Sequence, residues 1–520
     1  MTNRKPVVPA SSAFNLSADL RRKAVAVAVS AAFVQGAYAL PQGGVAEVGS
    51  MVITTPTVSS MVITHSTTQN VAGFNSFNTT AGESVRVNFV NGGSAFYKVA
   101  DPVSFYGSLS ANGKIFLSSP GGLLFGAGSL VDVGSIVATT LSMSNADYLA
   151  GRYMFTNQGA TGSVVNRGTI ITATGGYAAL IGPNVSNEGI IVAQMGTVAL
   201  AAGNKVTLDM IGDGLVKVVV DEAALNASVM NKGTLAADGG NVLLTARSAN
   251  ALLDTVINTE GVIRANTISD RNGTIEAKGN DAGTTGGTVK VLGEYVGIGL
   301  PGATANIDAS GMAGGGTVLI GGNFQGKGPE ANSTGTYFGS GSTISADAVA
   351  SGNGGKVILW SDGATRAYGS LSARGGANGG NGGLVETSGH WLDVGGVSVN
   401  TLAPMGANGL WLLDPLNVTI VDGAIAGSTN GVGVTTGGAG LWVPSATGST
   451  VTDGDINSNL LTSDVTITTT NIAAEAGNIT VNTGVVITNG FAGTRTFTLT
   501  ADALTGGIAV NGNAQIGDGV

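Results

Sequence analysis

The sequence predicts an all-β solenoid, a parallel β-helix, on three observations. Glycine fills 85 of the 520 positions and charged residues only 11%, yet 43% of the chain is hydrophobic. A short phrase of Asn, Gly and apolar–polar alternation recurs through the body. No amphipathic helix of ordinary length separates the strand-like segments, so a doubly wound sheet is disfavoured.

The composition bounds the class. A chain this apolar folds rather than staying disordered, and it is too long for one compact core. Its glycines follow no three-residue period, which excludes collagen and leaves many tight turns between short strands. Cysteine is absent, which suits a chain threaded unfolded through a pore.

The first 39 residues hold Arg4, Lys5, Arg21, Arg22 and Lys23 against Asp19, a formal +4. The whole chain is −9, so the remainder carries −13. An acidic body without a basic stripe argues against nucleic acid as a partner and against docking to anionic lipid.

Arg21-Arg22-Lys23 precede an apolar run from Ala24 to Val34, and Ala37-Tyr38-Ala39 follows. A charged region, an apolar stretch and an A-x-A site in that order predict a cleaved export signal. The apolar stretch is shorter than the roughly 20 residues of a membrane span. Cleavage is expected between Ala39 and Leu40, which makes residues 1–39 an extended signal peptide.

The recurring phrase begins at Asn166, Asn187, Asn231, Asn258 and Asn272. Second strands such as Gly196–Leu200 and Gly240–Leu244 follow several copies. Coiling the chain so that each turn pairs with the last satisfies the backbone without helices, and equivalent Asn or Thr residues can stack into ladders. A period of roughly 20 residues predicts about 24 turns and a rod on the order of 115 Å if every mature residue joins it. The Gly-rich runs 321–342 and 373–383 are expected as loops leaving the rod.

In Gly73–Asn78, Gly107–Leu117 and Leu123–Gly128 the chain resembles two-partner-secretion exoproteins with an N-terminal haemagglutination-activity domain of the filamentous haemagglutinin type. Gly73-Phe74-Asn75-Ser76-Phe77-Asn78 resembles the domain's opening phrase. Gly107 to Leu117, running through Ser118 into Leu123-Leu124-Phe125-Gly126-Ala127-Gly128 and then Val131 to Thr140, resembles its central strands. The family's Asn-Pro-Asn-Gly box stands here as Ser119-Pro120-Gly121-Gly122, with both Asn side chains missing. Gly354–Gly369, Gly383–Gly389 and Trp411–Pro415 resemble the high-molecular-weight adhesin branch.

The resemblance implies a right-handed β-helix folding at the cell surface, secreted or held on the outer membrane. It implies an outer-membrane transporter barrel as partner and Ser119, Pro120, Gly121 and Gly122 as a secretion motif. Residues 40–290 are then the secretion domain and 291–520 a continuing β-helical passenger. The chain stops in strand-and-turn sequence, Asn511 to Val520, so this passenger is expected to be truncated. The expected function is adhesion to a host-cell or bacterial surface receptor, a glycan among the receptor types. The alternative is the carrier region of a haemolysin or contact-dependent toxin.

Nothing in the sequence points to an enzyme, a cofactor or a metal. Only His65 and His390 are present, too few for the usual zinc site. Gly322–Gly328 has a lysine but neither the spacing nor the Ser or Thr of a phosphate loop. Gly375–Gly383 lacks the Asp of a calcium nonapeptide, and Asp221-Glu222 reads as solvated surface. Trp360, Trp391, Trp411 and Trp442 are expected in packing between turns rather than in a sugar groove.

Overall fold

A computed structural model describes residues 40–517, apart from 91, 211–215, 249–256, 266–268, 272–273, 277–284, 426–440, 445–447, 471–475, 489–493 and 503. The leader, Ala39 included, lies outside the described residues.

Short strands with inward and outward residues alternating can bury an apolar face only against further copies of themselves. They do so here as a right-handed parallel β-helix with three faces. On the first face one register column runs Ser60, Ser84, Ser108, Leu130, Thr169, Ile190, Thr234, Val262, Asn306, Thr343, Ser370 and Ser398. The second face carries an inward column from Ile115 through Val198, Val242, Val289, Val318, Val357 and Val385 to Trp411 and Val465. These side chains form one continuous core. The third face is a ten-stranded sheet from Val103–Phe105 to Trp391–Asp393.

The expected turn number needs correction. Steps along the first column span 21 residues from Thr169 to Ile190 but 44 from Ile190 to Thr234. Eleven steps join Ser60 to Ser398, about 53 Å at ~4.8 Å per step. The stack continues beyond Ser398 through Asp464–Thr468 to Phe497–Thr500, and insertions lengthen its turns. The largest described one supplies Lys205–Asp209 and Lys217–Glu222, which pair antiparallel with each other and, through the former, with Tyr153–Thr156. This small sheet covers outward-facing Phe116, Val137, Tyr177 and Ala179 of the second face.

The recurring phrase has a geometric cause. Asn166, Asn187 and Asn231 are fully buried at one corner. Asn166 Nδ2 donates to Asn187 Oδ1 and Asn187 Nδ2 to Asn231 Oδ1, each at 2.8 Å. Two residues on, Gly168, Gly189, Gly233 and Gly261 stack so closely that a Cβ on Gly233 would sit 2.0 Å from the Gly189 carbonyl oxygen. Thr259, not Asn258, takes the next place above Asn231. In the copy at Asn272, the Asn and Gly lie outside the described residues. Its strand Thr274–Glu276 pairs antiparallel with Ser269–Arg271 as a local hairpin.

A longer glycine column marks the bend between the first and second faces. Gly93, Gly113, Gly134, Gly176, Gly196, Gly240, Gly287, Gly316, Gly355, Gly383 and Gly409 each lie against the next. A Cβ on Gly196 would stand 1.8 Å from the Gly176 oxygen, so backbone approach excludes any side chain.

The Gly-rich runs leave the rod only in part: residues 321–334 form a loop outside the strands, and the rest stays in the stack. Gly335–Phe338 is a third-face strand between Tyr295–Ile298 and Ala364–Ala367. In the run 373–383, Gly376 N donates to Gly352 O and Asn378 N to Ala350 O, so the corner stacks on the turn below. Glycine there serves close stacking rather than departure from the stack.

At its start the helix is closed by antiparallel strands. Val45–Val48 pairs with Gln69–Phe74 and Val52–Thr57 with Ser60–His65. This covers edges that parallel turns would leave open.

Candidate functional site

The box residues lie at the corner between the second and third faces. The chain leaves Ser108–Ser118 and must turn into Leu123–Phe125. Gly122 N donates to Ser119 O at 3.0 Å, closing a four-residue turn, and Gly122 has φ +117°. Ser119 is fully buried, while Pro120 and Gly121 are exposed at the tip.

Neighbouring turns clamp this corner from both sides. Ser119 Oγ donates to Asp101 O at 2.8 Å, and Val103 N to Gly122 O at 2.9 Å. From above, Gly162 N donates to Pro120 O and Leu123 N to Ser163 O. The missing Asn at position 121 has a physical counterpart here, because a Cβ on Gly121 would meet Pro102 Cγ at 2.7 Å.

The same corner reaches the first residues after the expected cleavage site. Asp101 N donates to Asn75 O, and Gln42 exchanges backbone bonds with Asn75 and Ser76. Leu40, two residues earlier, is 5% exposed and belongs to the core. Leu40 and the Ser119–Gly122 turn thus share one stacked edge.

Beside this edge lies an open groove of about 510 Å³, lined among others by Gly43, Glu47, Phe74, Lys98, Pro120 and Met143. Lys98 Nζ pairs with Glu47, and Asn145 Nδ2 also donates to that carboxylate at 2.9 Å. The Lys98 hydrogen bond lowers the Glu47 pKa from its ordinary value.

His65 is fully buried below this region. Its Nδ1 lies 2.6 Å from Ser50 O and its Nε2 2.8 Å from the Tyr97 hydroxyl, and its ring stacks on Phe89. Burial pushes its pKa down, which favours a neutral ring that donates from Nδ1 and accepts at Nε2. His390 sits in the bend before Trp391–Asp393. Among the described residues, no group of three or more His, Asp or Glu could hold a metal ion.

Sequence reasoning missed a second polar cluster. The Gly322–Gly328 loop folds back over the outer surface of the second face. Gln325 N lies 3.1 Å from both carboxylate oxygens of Glu386, and Gln325 Nε2 donates to Asp414 Oδ2 at 3.1 Å. Glu386 is fully buried, and loss of solvent pushes its pKa up to about 8. Burial also raises Asp414. Lys290 pairs with Glu330 at 2.8 Å at the far end of the loop. The available signal was a lone acid at an outward strand position between apolar residues, which requires a cover.

The tryptophans pack as expected. Trp411 lies in the core and Trp360 on the patch of Leu319 and Ile358. Trp442 contacts Tyr295, and Trp391 stacks under the Arg366 guanidinium at 4.5 Å. Asp221 accepts from Thr207 Oγ1, and Glu222 pairs with Lys205, both on exposed strand.

Comparisons with known proteins fit this geometry. Residues 37–291 match the TPS secretion domain family. The crystal structure of the HMW1 secretion domain from Haemophilus influenzae superposes with a TM-score of 0.57 at 26% identity, covering 72% of this chain and all of that one. A heme/hemopexin-binding protein of Haemophilus influenzae strain Rd is 29% identical over 205 residues, 38% of this chain. Another from the same species is 23% identical over 190 residues. The matched regions span 22% and 20% of those two relatives.

Proposed function

We propose, on the premise that this chain carries a two-partner-secretion domain related to that of HMW1, that it is an exported surface adhesin. The matched domain is a secretion module and not a catalytic one. In this reading residues 40–290 engage a cognate outer-membrane barrel, and 291–520 present a rigid surface to a receptor on host cells or bacteria. One observation carries it. The strand Thr288–Gly293 pairs with Asn241–Ala246 below and Thr317–Ile320 above, so the rod continues past the secretion domain without a break. A stiff extension of the exported unit suits a presenting stalk.

The test is binding of purified exported protein to cultured epithelial cells and to bacteria. Saturable binding to either is expected. Protein that is exported yet binds neither overturns the adhesin reading.

The likeness to two heme/hemopexin-binding proteins supports a second reading, capture of a heme carrier. Hemopexin retained by immobilised exported protein, without cell binding, would favour it.

A further inference from the structure

One column of outward residues on the second face changes character as it climbs. Successive strands place Lys290, Leu319, Ile358, Glu386, Leu412 and Thr466 in register. Charge at the base gives way to apolar surface, and a carboxyl stands directly above it. The loop between Ile320 and Gly335 runs back over this column. Its base is tied by Lys290 Nζ to Glu330 Oε1 at 2.8 Å, and Asn323 Nδ2 donates to Glu330 Oε2 at 2.7 Å. Its tip, residues 324–327, carries Gln325 to Glu386 and Asp414. From Lys290 to Leu412 is four steps, about 19 Å at ~4.8 Å per step.

Gln325 makes the closing contacts from a left-handed backbone, φ +54°, which a non-glycine residue keeps only where its surroundings hold it. Its N–H lies between both oxygens of Glu386, its side chain donates to Asp414, and Lys327 Nζ donates to its Oε1 at 3.1 Å. Gly326 lies against Trp360, where a Cβ would stand 2.5 Å from the indole. Phe324 packs with Leu319, Ile358 and Trp360 in one apolar patch. Gly321 and Gly328, at φ +71° and +121°, bound the tip, and backbone rotation there moves it without disturbing a strand.

Closure removes water from two acids at once. Glu386 and Asp414 are both buried. Loss of solvent pushes Glu386 up to about 8, with the Asp414 charge adding to it, and raises Asp414 too. Hydrogen bonds from Gln325 to both acids oppose the rise without cancelling it. The cations facing them are Lys356 on the strand below and Lys327 on the loop, and neither offsets the lost solvent. Lys290 is engaged with Glu330, and Asp362 accepts from Asn332 Nδ2 and Trp360 Nε1.

We propose that residues 322–328 form a hinged strap, closed over Glu386 and Asp414 while one of the two carboxyls is protonated and released when both ionise. A proton held more tightly by the closed form than by the open one favours closure at low pH, and closure weakens as pH rises towards 8. Release bares Ile358 and Trp360 together with the two carboxylates. Neither export nor receptor binding takes part, so the strap stands apart from the adhesin reading.

The test is hydrogen exchange of the full folded chain, read by mass spectrometry from pH 6 to pH 9 and corrected for the intrinsic base-catalysed rate. Protection of a peptide covering 324–328 is expected to fall by about tenfold or more between pH 6 and 8, while strands 357–359 and 410–412 keep theirs. Glu386→Gln should shrink the fall to about threefold or less, since the amide stays neutral throughout. Protection independent of pH, a fall of equal size in the strands, or an undiminished fall in Glu386→Gln would overturn the proposal. Gln325→Asn keeps a residue that tolerates left-handed backbone, but one methylene shorter it draws its amide back from Asp414. Its protection at pH 6 should drop by about three- to tenfold, and protection equal to the parent's would equally overturn the proposal. Should Glu386→Gln fail to fold, this variant decides.

Discussion

Asn187 bridges three turns of the helix, accepting from Asn166 Nδ2 and donating to Asn231 Oδ1, each at 2.8 Å. All three side chains are fully buried, so each amide depends on its neighbours for its bonds. Asn187→Ala would leave Asn166 without its acceptor and Asn231 without its donor. Chemical denaturation should register a loss of about 1–3 kcal/mol. Asn258→Ala, one residue outside the column, should fall within about 0.5 kcal/mol of the parent.

The glycine column predicts a sharp contrast between two kinds of glycine. Gly196→Ala places a Cβ 1.8 Å from the Gly176 oxygen and should abolish or severely weaken folding. Gly128 has φ +84°, and a Cβ there would meet nothing within 4 Å. Gly128→Ala should therefore cost only about 1–2 kcal/mol, the strain of the left-handed backbone. Thermal denaturation of the two variants separates close approach from conformation.

The secretion corner makes its own demand. Gly122→Val puts a β-branched residue at φ +117° with its Cβ 3.3 Å from Ser163 O. A cost of about 2 kcal/mol or more is expected, with reduced export. Restoring the family's Asn at 119 and 121 is expected from sequence to leave export equal or better. The structure adds a condition, since Gly121→Asn must displace Pro102. Combining it with Pro102→Ala should export better than Gly121→Asn alone, measured as protein in the medium.

Two buried groups set opposite pH flanks. His65 has its pKa lowered by burial from 6.5, so below about that pH the unfolded chain takes up a proton first. Stability is then lost as pH falls, and His65→Gln should flatten this acid flank. Glu386 titrates near 8 in the folded chain against 4.5 unfolded. Its contribution is full below 4.5 and is lost as pH rises through 8. Glu386→Gln should remove that loss in denaturant titrations between pH 4.5 and 8.

Much of the architecture was legible because a β-helix writes its geometry locally. Asn187-x-Gly189 names both the ladder and the close approach two residues on, and alternation gives the inward set. The period misled, because loops between Ile190 and Thr234 lengthen a turn without disturbing its strands. The Ser119–Gly122 turn was readable from Pro and Gly preferences. The pairing of Gln325 with Glu386 was not, since the contact joins residues two turns apart through a loop of ordinary sequence.

The most direct test of two-partner secretion is export from cells carrying the gene with and without a cognate outer-membrane barrel gene. With the barrel, protein is expected in the medium or on the cell surface, strand-rich by circular dichroism and beginning at Leu40. Without it, the protein should remain in the periplasm. Equal export in both strains, or an exported chain beginning at Met1, would contradict this.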